Sequence, residues 1–134
     1  MVLSFKFRIE TKLTGSRLLS DENMTDEAKL LKCFESKGVI YGDELIVLKK
    51  FCTEFMQASK LAGFAVIGIE GFYLFKDGSV KPNIEEVADF SDIESVFFNE
   101  YIEKCYEASD NFIKYMLLNG KSDGYCFVLT DSLY

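Results

Sequence analysis

The chain has 134 residues, which is the length of one domain, and 49% of them are hydrophobic, so extensive disorder is excluded. It has no histidine, which excludes Ser-His-Asp and Cys-His nucleophilic sites, histidine bases and histidine-ligated metals. The net charge of −7 disfavours direct binding to nucleic-acid phosphates or to anionic membranes. We predict a single domain over residues 1–134.

The first predicted elements are a strand and a helix. Apolar and polar residues alternate over residues 3–9, which is the pattern of a strand with one solvent-exposed face. A polar loop follows over residues 14–25. A helix is then predicted from Thr25 or Asp26 to Gly38, with acidic residues in its first turn and glycine at its end.

A second helix is predicted after a short bridge at residues 39–42. Asp43 is a favourable N-cap, and the apolar residues that follow recur at a spacing of three and four. The pattern continues to Ala62, and Gly63 is the expected C-terminal glycine.

The middle of the chain predicts a hairpin. Residues 64–75 form an apolar run typical of a central strand, in which Gly68 and Gly71 indicate a bend or bulge. The sequence Lys-Asp-Gly at 76–78 predicts a tight turn. Pro82 places the returning segment, residues 79–84, at a sheet edge.

A long helix and a final strand complete the domain. Ser91 and Glu94 have the spacing of a capping box, which predicts a helix from this point to about Leu118, ended by Gly120. A last strand is predicted at residues 125–130. The order β-α-α-β-β-α-β indicates an α+β fold, a small and mostly antiparallel sheet packed by about three helices on one side.

The negative charge is concentrated in one segment. Residues 82–103 carry seven acidic residues and no basic residue. On the predicted elements, Glu85, Glu86 and Asp89 lie in a loop after the edge strand, and Asp92 and Glu94 lie in the first turn of the long helix. These carboxylates either complement the helix dipole and solvate the surface, or form a docking surface for a basic partner.

Three further residues enter the candidate surface. Phe90 and Phe98 lie among the acidic residues, and aromatic rings surrounded by carboxylates are typical of interface hot spots. Glu70, inside the apolar run, either reaches solvent or a lysine at the Gly71 bend, or acts in a cleft as a partner contact or general base. The predicted partner-binding residues are Glu70, Glu85, Glu86, Asp89, Phe90, Asp92, Glu94 and Phe98. Phe97 and Tyr101 are predicted in the core.

The cysteines and the chain start predict a reducing compartment. Four cysteines lack the paired spacing of a zinc or redox site, so we expect them to be small core residues. The first residues are too charged for a signal peptide, and no apolar run is long enough to span a membrane. We therefore expect a cytoplasmic protein with no catalytic residue, metal site or cofactor.

One stretch carries a family resemblance. Gly63-Phe-Ala-Val-Ile-Gly-Ile-Glu-Gly-Phe-Tyr-Leu-Phe-Lys-Asp-Gly, followed by Pro82 and Ala88-Asp-Phe-Ser91, resembles immunity proteins of bacterial polymorphic toxin systems, including contact-dependent growth inhibition. The resemblance implies a small cytosolic protein, not an enzyme, that binds one toxin domain and blocks its active site or substrate surface. Because such proteins share no common catalytic residues, it assigns no role to any residue of this chain.

We therefore expect an immunity protein that neutralises a cognate toxin domain, basic and of the nuclease type, through its acidic surface. The alternative is a small carboxylate-based hydrolase or metal-binding enzyme that uses Glu70 with an acid from residues 85–94. A third hypothesis is a DNA-mimicking nuclease inhibitor. The nearly balanced charge of residues 1–81 is unfavourable to it, because such mimics need acids along a longer surface.

Overall fold

The structure, a computed structural model, describes residues 24–133. These residues form an α+β fold with an antiparallel sheet and three α-helices, as the sequence predicts, and the sheet has five strands. The elements are α1 (Asp26–Phe34), β1 (Gly38–Tyr41), β2 (Glu44–Leu48), α2 (Cys52–Leu61), β3 (Ala65–Leu74), β4 (Val80–Asp89), α3 (Phe98–Asn119) and β5 (Gly124–Thr130). Single turns of 3-10 helix, Glu35–Lys37 and Lys49–Phe51, precede β1 and α2. The strand predicted at residues 3–9 lies outside the described residues.

The sheet has the strand order β1-β2-β5-β3-β4, and every neighbouring pair is antiparallel. The last strand of the chain, β5, therefore lies between β2 and β3, and it is buried along its whole length. The strand β4 lies at an edge, as Pro82 predicts, because proline cannot donate a ladder hydrogen bond.

The helices cover the main core. Phe55 of α2 packs between Phe34 of α1 and Phe127 of β5, with ring centroids 5.0 Å apart in both pairs. Ile113 of α3 joins this cluster, and the first half of α3 packs on a second cluster that includes Val128. A smaller cluster, formed by Ile46, Phe72 and Cys126, lies on the sheet face opposite to Phe127, because neighbouring residues of a strand point to opposite faces.

The prediction of a continuous second helix from Asp43 is wrong. Residues 38–48 form the β1–β2 hairpin, and only Cys52–Leu61 is α-helical. Gly42 has φ of 63°, and glycine is the usual residue at the first central position of a type II′ hairpin turn. Leu45, Ile46 and Val47 are buried in succession, which a strand covered on both faces allows and an amphipathic helix does not.

The hairpin of β3 and β4 is confirmed, with register shifts near both predicted glycines. One shift falls between Val66 and Gly68, and the other falls between Glu70 and Gly71. At the second shift Glu70 pairs with Val87 and Gly71 pairs with Asn83. Residues 84–86 of β4 therefore bulge out of the register with β3.

This bulge corrects the predicted loop. The sequence places Glu85, Glu86 and Asp89 after the edge strand, whereas all three belong to β4, which continues to Asp89. Pairing with β3 extends the strand, because Ala88 and Asp89 have register partners and the amide of Phe90 donates to the carbonyl of Ile67.

The predicted start of the long helix is also wrong. The helix α3 begins at Phe98, so Asp92 and Glu94 lie before it and not in its first turn. The capping box at Ser91 does not form, because the Ser91 amide donates to Oδ1 of Asp89 at 2.9 Å in a local turn. The helix end is confirmed, since α3 stops at Asn119 and Gly120 follows.

Candidate functional site

Four of the predicted acidic residues form an exposed segment, which we call the acidic segment: Glu85, Asp89, Asp92 and Glu94. Within residues 24–133, no lysine nitrogen lies within 4.0 Å of their carboxylate oxygens, although four other lysine–carboxylate pairs occur. Residues 82–103 themselves contain no basic residue that could neutralise these carboxylates locally. Among the described residues, the acidic segment therefore presents negative charge without a paired lysine across β4 and the segment before α3.

The backbone of this segment is held in place by hydrogen bonds. The amide of Phe90 donates to Ile67 at 2.8 Å, and the amide of Ile93 donates to the carbonyl of Phe90 at 3.2 Å. Hydrogen bonds from the Ser91 side chain and backbone lower the pKa of Asp89 below its ordinary value. The carboxylate of Asp89 is thus ionised at neutral pH and held close to the sheet edge.

Glu86 does not belong to the exposed surface, which corrects the sequence prediction. Its side chain is only 8% exposed and points into the protein. Its carboxylate accepts hydrogen bonds from the Lys121 amide at 2.6 Å, the Ser122 amide at 3.1 Å and the Tyr125 hydroxyl at 2.8 Å. Glu86 lies in the bulge of β4, whose three residues are outside the register with β3. Its side chain points into the protein, whereas the side chain of Glu85 in the same bulge is exposed.

These donors decide the ionisation of Glu86. Burial by itself raises the pKa of this carboxyl, but the hydrogen bonds from Lys121, Ser122 and Tyr125 outweigh burial and lower the pKa to about 2. The same arrangement raises the pKa of Tyr125 well above its ordinary value, through burial first and then through its bond to the Glu86 carboxylate. Glu86 is therefore a buried anion that fixes the connection between α3 and β5.

The surroundings of Glu86 are closely packed. Asn83 donates from Nδ2 to the Ser122 hydroxyl at 3.0 Å, and both residues are buried. A Cβ atom on Gly71 would overlap the Ser122 hydroxyl oxygen and lie 3.1 Å from the Glu86 carbonyl oxygen. We call Asn83, Glu86, Ser122 and Tyr125 the buried carboxylate network. The sequence does not predict it, because Asn83 and Glu86 lie far along the chain from Ser122 and Tyr125. The local signal is Gly71, which is predicted only as a bend or bulge.

The exposure of Phe97 and Phe98 is the reverse of the prediction. Phe98, predicted to be exposed, is half-buried and lies 6.1 Å from Tyr101 between ring centroids. Phe97, predicted in the core, is 71% exposed, and its neighbour Val96 is 79% exposed. The register of the helix explains the exchange, because a helix that begins at Phe98 buries Tyr101, Ile102, Cys105, Ser109 and Ile113.

Phe90 and Glu70 are both half-buried. Phe90 packs against the main core, 6.5 Å from Phe112 between ring centroids. Glu70 pairs across the sheet with Cys126, whereas Glu86 contacts the side chain of Tyr125, which points to the opposite face. The two glutamates therefore lie on opposite faces of the sheet, and Asp89, opposite Gly68, lies on the face of Glu70.

The cysteine prediction is confirmed for three residues. Cys52, Cys105 and Cys126 are buried, and burial raises the pKa of the Cys52 thiol to about 12. Cys33 on α1 is exposed, so the prediction of a core position is wrong there. Its position on the outer side of α1 follows from the helix register, which buries Leu30, Leu31 and Phe34 instead.

The described residues contain neither a metal site nor a membrane-spanning helix. Among residues 24–133, no three side chains of His, Cys, Asp or Glu are arranged to hold a metal ion. In the same residues no helix combines the length and the apolar character needed to cross a membrane. In comparisons with known proteins, no family model and no curated sequence matches this chain. The resemblance to immunity proteins stays a prediction.

Proposed function

We propose that this protein binds a basic protein partner through the acidic segment and neutralises it, as an immunity protein neutralises a toxin domain. The observation that supports the proposal is the exposure of Glu85, Asp89, Asp92 and Glu94 with no lysine or arginine within 4.0 Å in the described part of the chain. These charges contribute little to folding, so partner binding supplies a reason for their clustering.

Electrostatics makes this surface suitable for a nuclease-type toxin. A nuclease holds phosphates with lysine and arginine side chains, and clustered carboxylates present the complementary charge to the same cations. Long-range attraction between the two surfaces raises the association rate, and salt weakens it. The inhibitor thus occupies the substrate surface and needs no catalytic residue.

The test uses the full chain and the basic proteins encoded beside its gene. Each candidate is produced alone and with this protein, and both cell growth and complex formation at low salt are measured. We expect one partner to inhibit growth alone, to form a stoichiometric complex with this protein, and to lose toxicity in that complex. If no neighbouring protein forms such a complex and growth is never rescued, the proposal is wrong.

Charge reversal then tests the surface. The variant Asp89→Lys with Asp92→Lys should slow association about tenfold and reduce its dependence on salt, because steering by surface charge acts mainly on the association rate. The matched control is Glu35→Lys with Glu107→Lys, which reverses two exposed carboxylates outside the acidic segment. Glu86 is left unchanged, since its reversal would disrupt the buried carboxylate network. Equal association rates in both variants would exclude the acidic segment as the interface.

A further inference from the structure

A groove lies between the residues that precede α3 and the first turns of that helix. Its volume is about 600 Å³, within the range of sites that bind small ligands. Among the described residues, Ile93, Tyr101 and Leu133 provide apolar lining, while Glu94, Glu100 and Lys104 provide charged lining. The groove therefore combines an apolar floor with a polar wall.

Both walls of the groove are joined by hydrogen bonds. The Ser95 hydroxyl donates to Oε1 of Glu100 at 2.6 Å, and Nζ of Lys104 donates to the carbonyl oxygen of Glu94 at 3.0 Å. The segment before α3 is thus attached to the helix at two points. The groove exists before any ligand binds, which lowers the entropic cost of binding.

The charges around the groove favour a cation. Lys104 is the one basic residue among the described lining, and its ammonium group is held by Glu94 and lies 4.0 Å from Oε2 of Glu100. At the floor, burial first, then the Cys105 thiol and least of all the charges of Asp89 and Asp92 raise the pKa of Tyr101 to about 12, so these two carboxylates lie near enough to act on the groove. The carboxylate of Glu94 is paired with no described lysine.

One exposed apolar side chain lines the groove, and a second one follows it in the chain. Val96 lines the groove and is 79% exposed, and Phe97, the next residue, is 71% exposed. Aromatic residues that become desolvated beside charged contacts dominate the binding energy of many interfaces. These two side chains therefore fit a partner that places an apolar residue next to its cationic residue.

We propose that this groove receives a basic segment of the protein partner, with a lysine or arginine side chain on the carboxylate of Glu94 and an apolar neighbour on Val96 and Phe97. This inference rests on the proposed function and specifies which part of the acidic surface makes the close contact. Glu85 and Asp89, on β4, then act by long-range attraction and not by contact.

A pair of short peptides tests the groove without knowledge of the natural partner. The probe is a blocked peptide of alternating leucine and arginine, and its control has glutamate in place of arginine. Amide chemical shifts of the full chain are followed by NMR during titration with each peptide at low salt. We expect the cationic peptide, and not its control, to produce saturable changes in the amide chemical shifts of residues 91–104. These changes should disappear at high salt.

Matched variants sharpen the test. Glu94→Gln with Glu100→Gln should weaken binding of the cationic peptide about fivefold, because two carboxylates of the wall are neutralised. The control, Glu103→Gln with Glu107→Gln, removes the same charge from exposed positions of the same helix that do not line the groove. Phe97→Ala, at an exposed site, should also weaken binding while the spectrum of the fold is preserved.

The outcomes separate this inference from the proposed function. If the cationic peptide shifts residues 85–89 or the far side of α3 instead, or shifts no residue, the groove is not the contact site. The complex with the toxic partner and the rescue of growth decide the proposed function independently. Equal weakening by the two double variants would also overturn the inference, because net charge alone would explain it.

Discussion

Two groups of carboxylates in this protein are close neighbours in the chain and have opposite environments. Glu86 is buried and accepts hydrogen bonds from Lys121, Ser122 and Tyr125. One residue earlier, Glu85 is exposed, and the rest of the acidic segment, from Asp89 to Glu94, lies on the surface without a lysine within 4.0 Å in the described structure.

Carboxylates in these two environments have different roles: the buried one stabilises the fold, and the exposed ones are available for binding. A buried carboxylate with several donors stabilises the fold, because the donors would be unpaired without it. An exposed carboxylate keeps its hydration in both the folded and the unfolded state, so it contributes little to folding. Mutations in the buried carboxylate network should therefore change stability, whereas mutations in the acidic segment should change association.

The largest expected effect comes from Glu86→Gln. The amide group of glutamine would turn a donor toward one of the three donors that now meet the carboxylate, so we expect a loss of about 4 kcal/mol in the free energy of unfolding. Chemical denaturation at neutral pH measures it. The matched control is Glu85→Gln, the exposed neighbour, which should change the same quantity by less than about 0.5 kcal/mol.

A second variant covers the case in which Glu86→Gln does not fold. Tyr125→Phe removes one donor to the carboxylate and keeps the buried ring, so a loss of about 1–2 kcal/mol is expected. If Glu85→Gln and Glu86→Gln lowered the free energy of unfolding by similar amounts, the assignment of a stabilising role to Glu86 alone would be wrong.

The second expected effect is a loss of stability in acid. The pKa of Glu86 is about 2 in the folded state against 4.5 for the unperturbed group, so the unfolded state binds more protons between these values. Stabilisation from Glu86 is thus complete above pH 4.5 and decreases as the pH falls toward 2, by about 3 kcal/mol in total. Denaturation curves at several pH values should show the difference between wild type and Tyr125→Phe narrowing as the pH falls. A difference that is independent of pH would argue against the ionised network.

A smaller effect is expected from Gly71→Ala. The new Cβ atom would overlap the hydroxyl of Ser122, which is buried and bonded to Asn83, so we expect a loss of about 2 kcal/mol. Gly68→Ala provides the control, since its Cβ atom would lie 3.3 Å from Cγ2 of Val128 and needs only a slight adjustment. Thermal unfolding compares the two, and a greater loss at Gly68 would contradict the packing described around Glu86.

Much of the fold could be predicted from local patterns. The start of α1, the β3–β4 hairpin with its glycine bulges, the end of α3 and the position of β5 as a strand follow from hydrophobic periodicity and turn residues, whereas α1 ends at Phe34 and the predicted last residue, Gly38, begins β1. The prediction of the second helix was wrong where the apolar residues fit both a helix and a buried strand. The apolar residues from Leu45 to Val47 fit a helical stripe, yet pairing of β2 with β1 and β5 favours the strand.

The charge of the candidate site could be predicted from the sequence, but the exposure of its individual side chains could not. The deficit of basic residues over 82–103 is a property of the sequence, and it located the acidic segment. Which side chains are exposed depends on two register events, the bulge at residues 84–86 and the start of α3 at Phe98. The bulge removes Glu86 from the predicted surface and leaves Glu85 on it, and the helix start exposes Phe97 and half-buries Phe98.

The sequence by itself determined the α+β class, the antiparallel hairpin at residues 65–89 and the concentration of negative charge, because these depend on residues that are close together in the chain. Only the tertiary structure decided which carboxylate is buried. The donors to Glu86 come from Lys121, Ser122 and Tyr125, and no local pattern records a contact across so many residues. The register shift within β4 changes which of its side chains face the interior, and it is defined by pairing with β3, a separate segment of the chain.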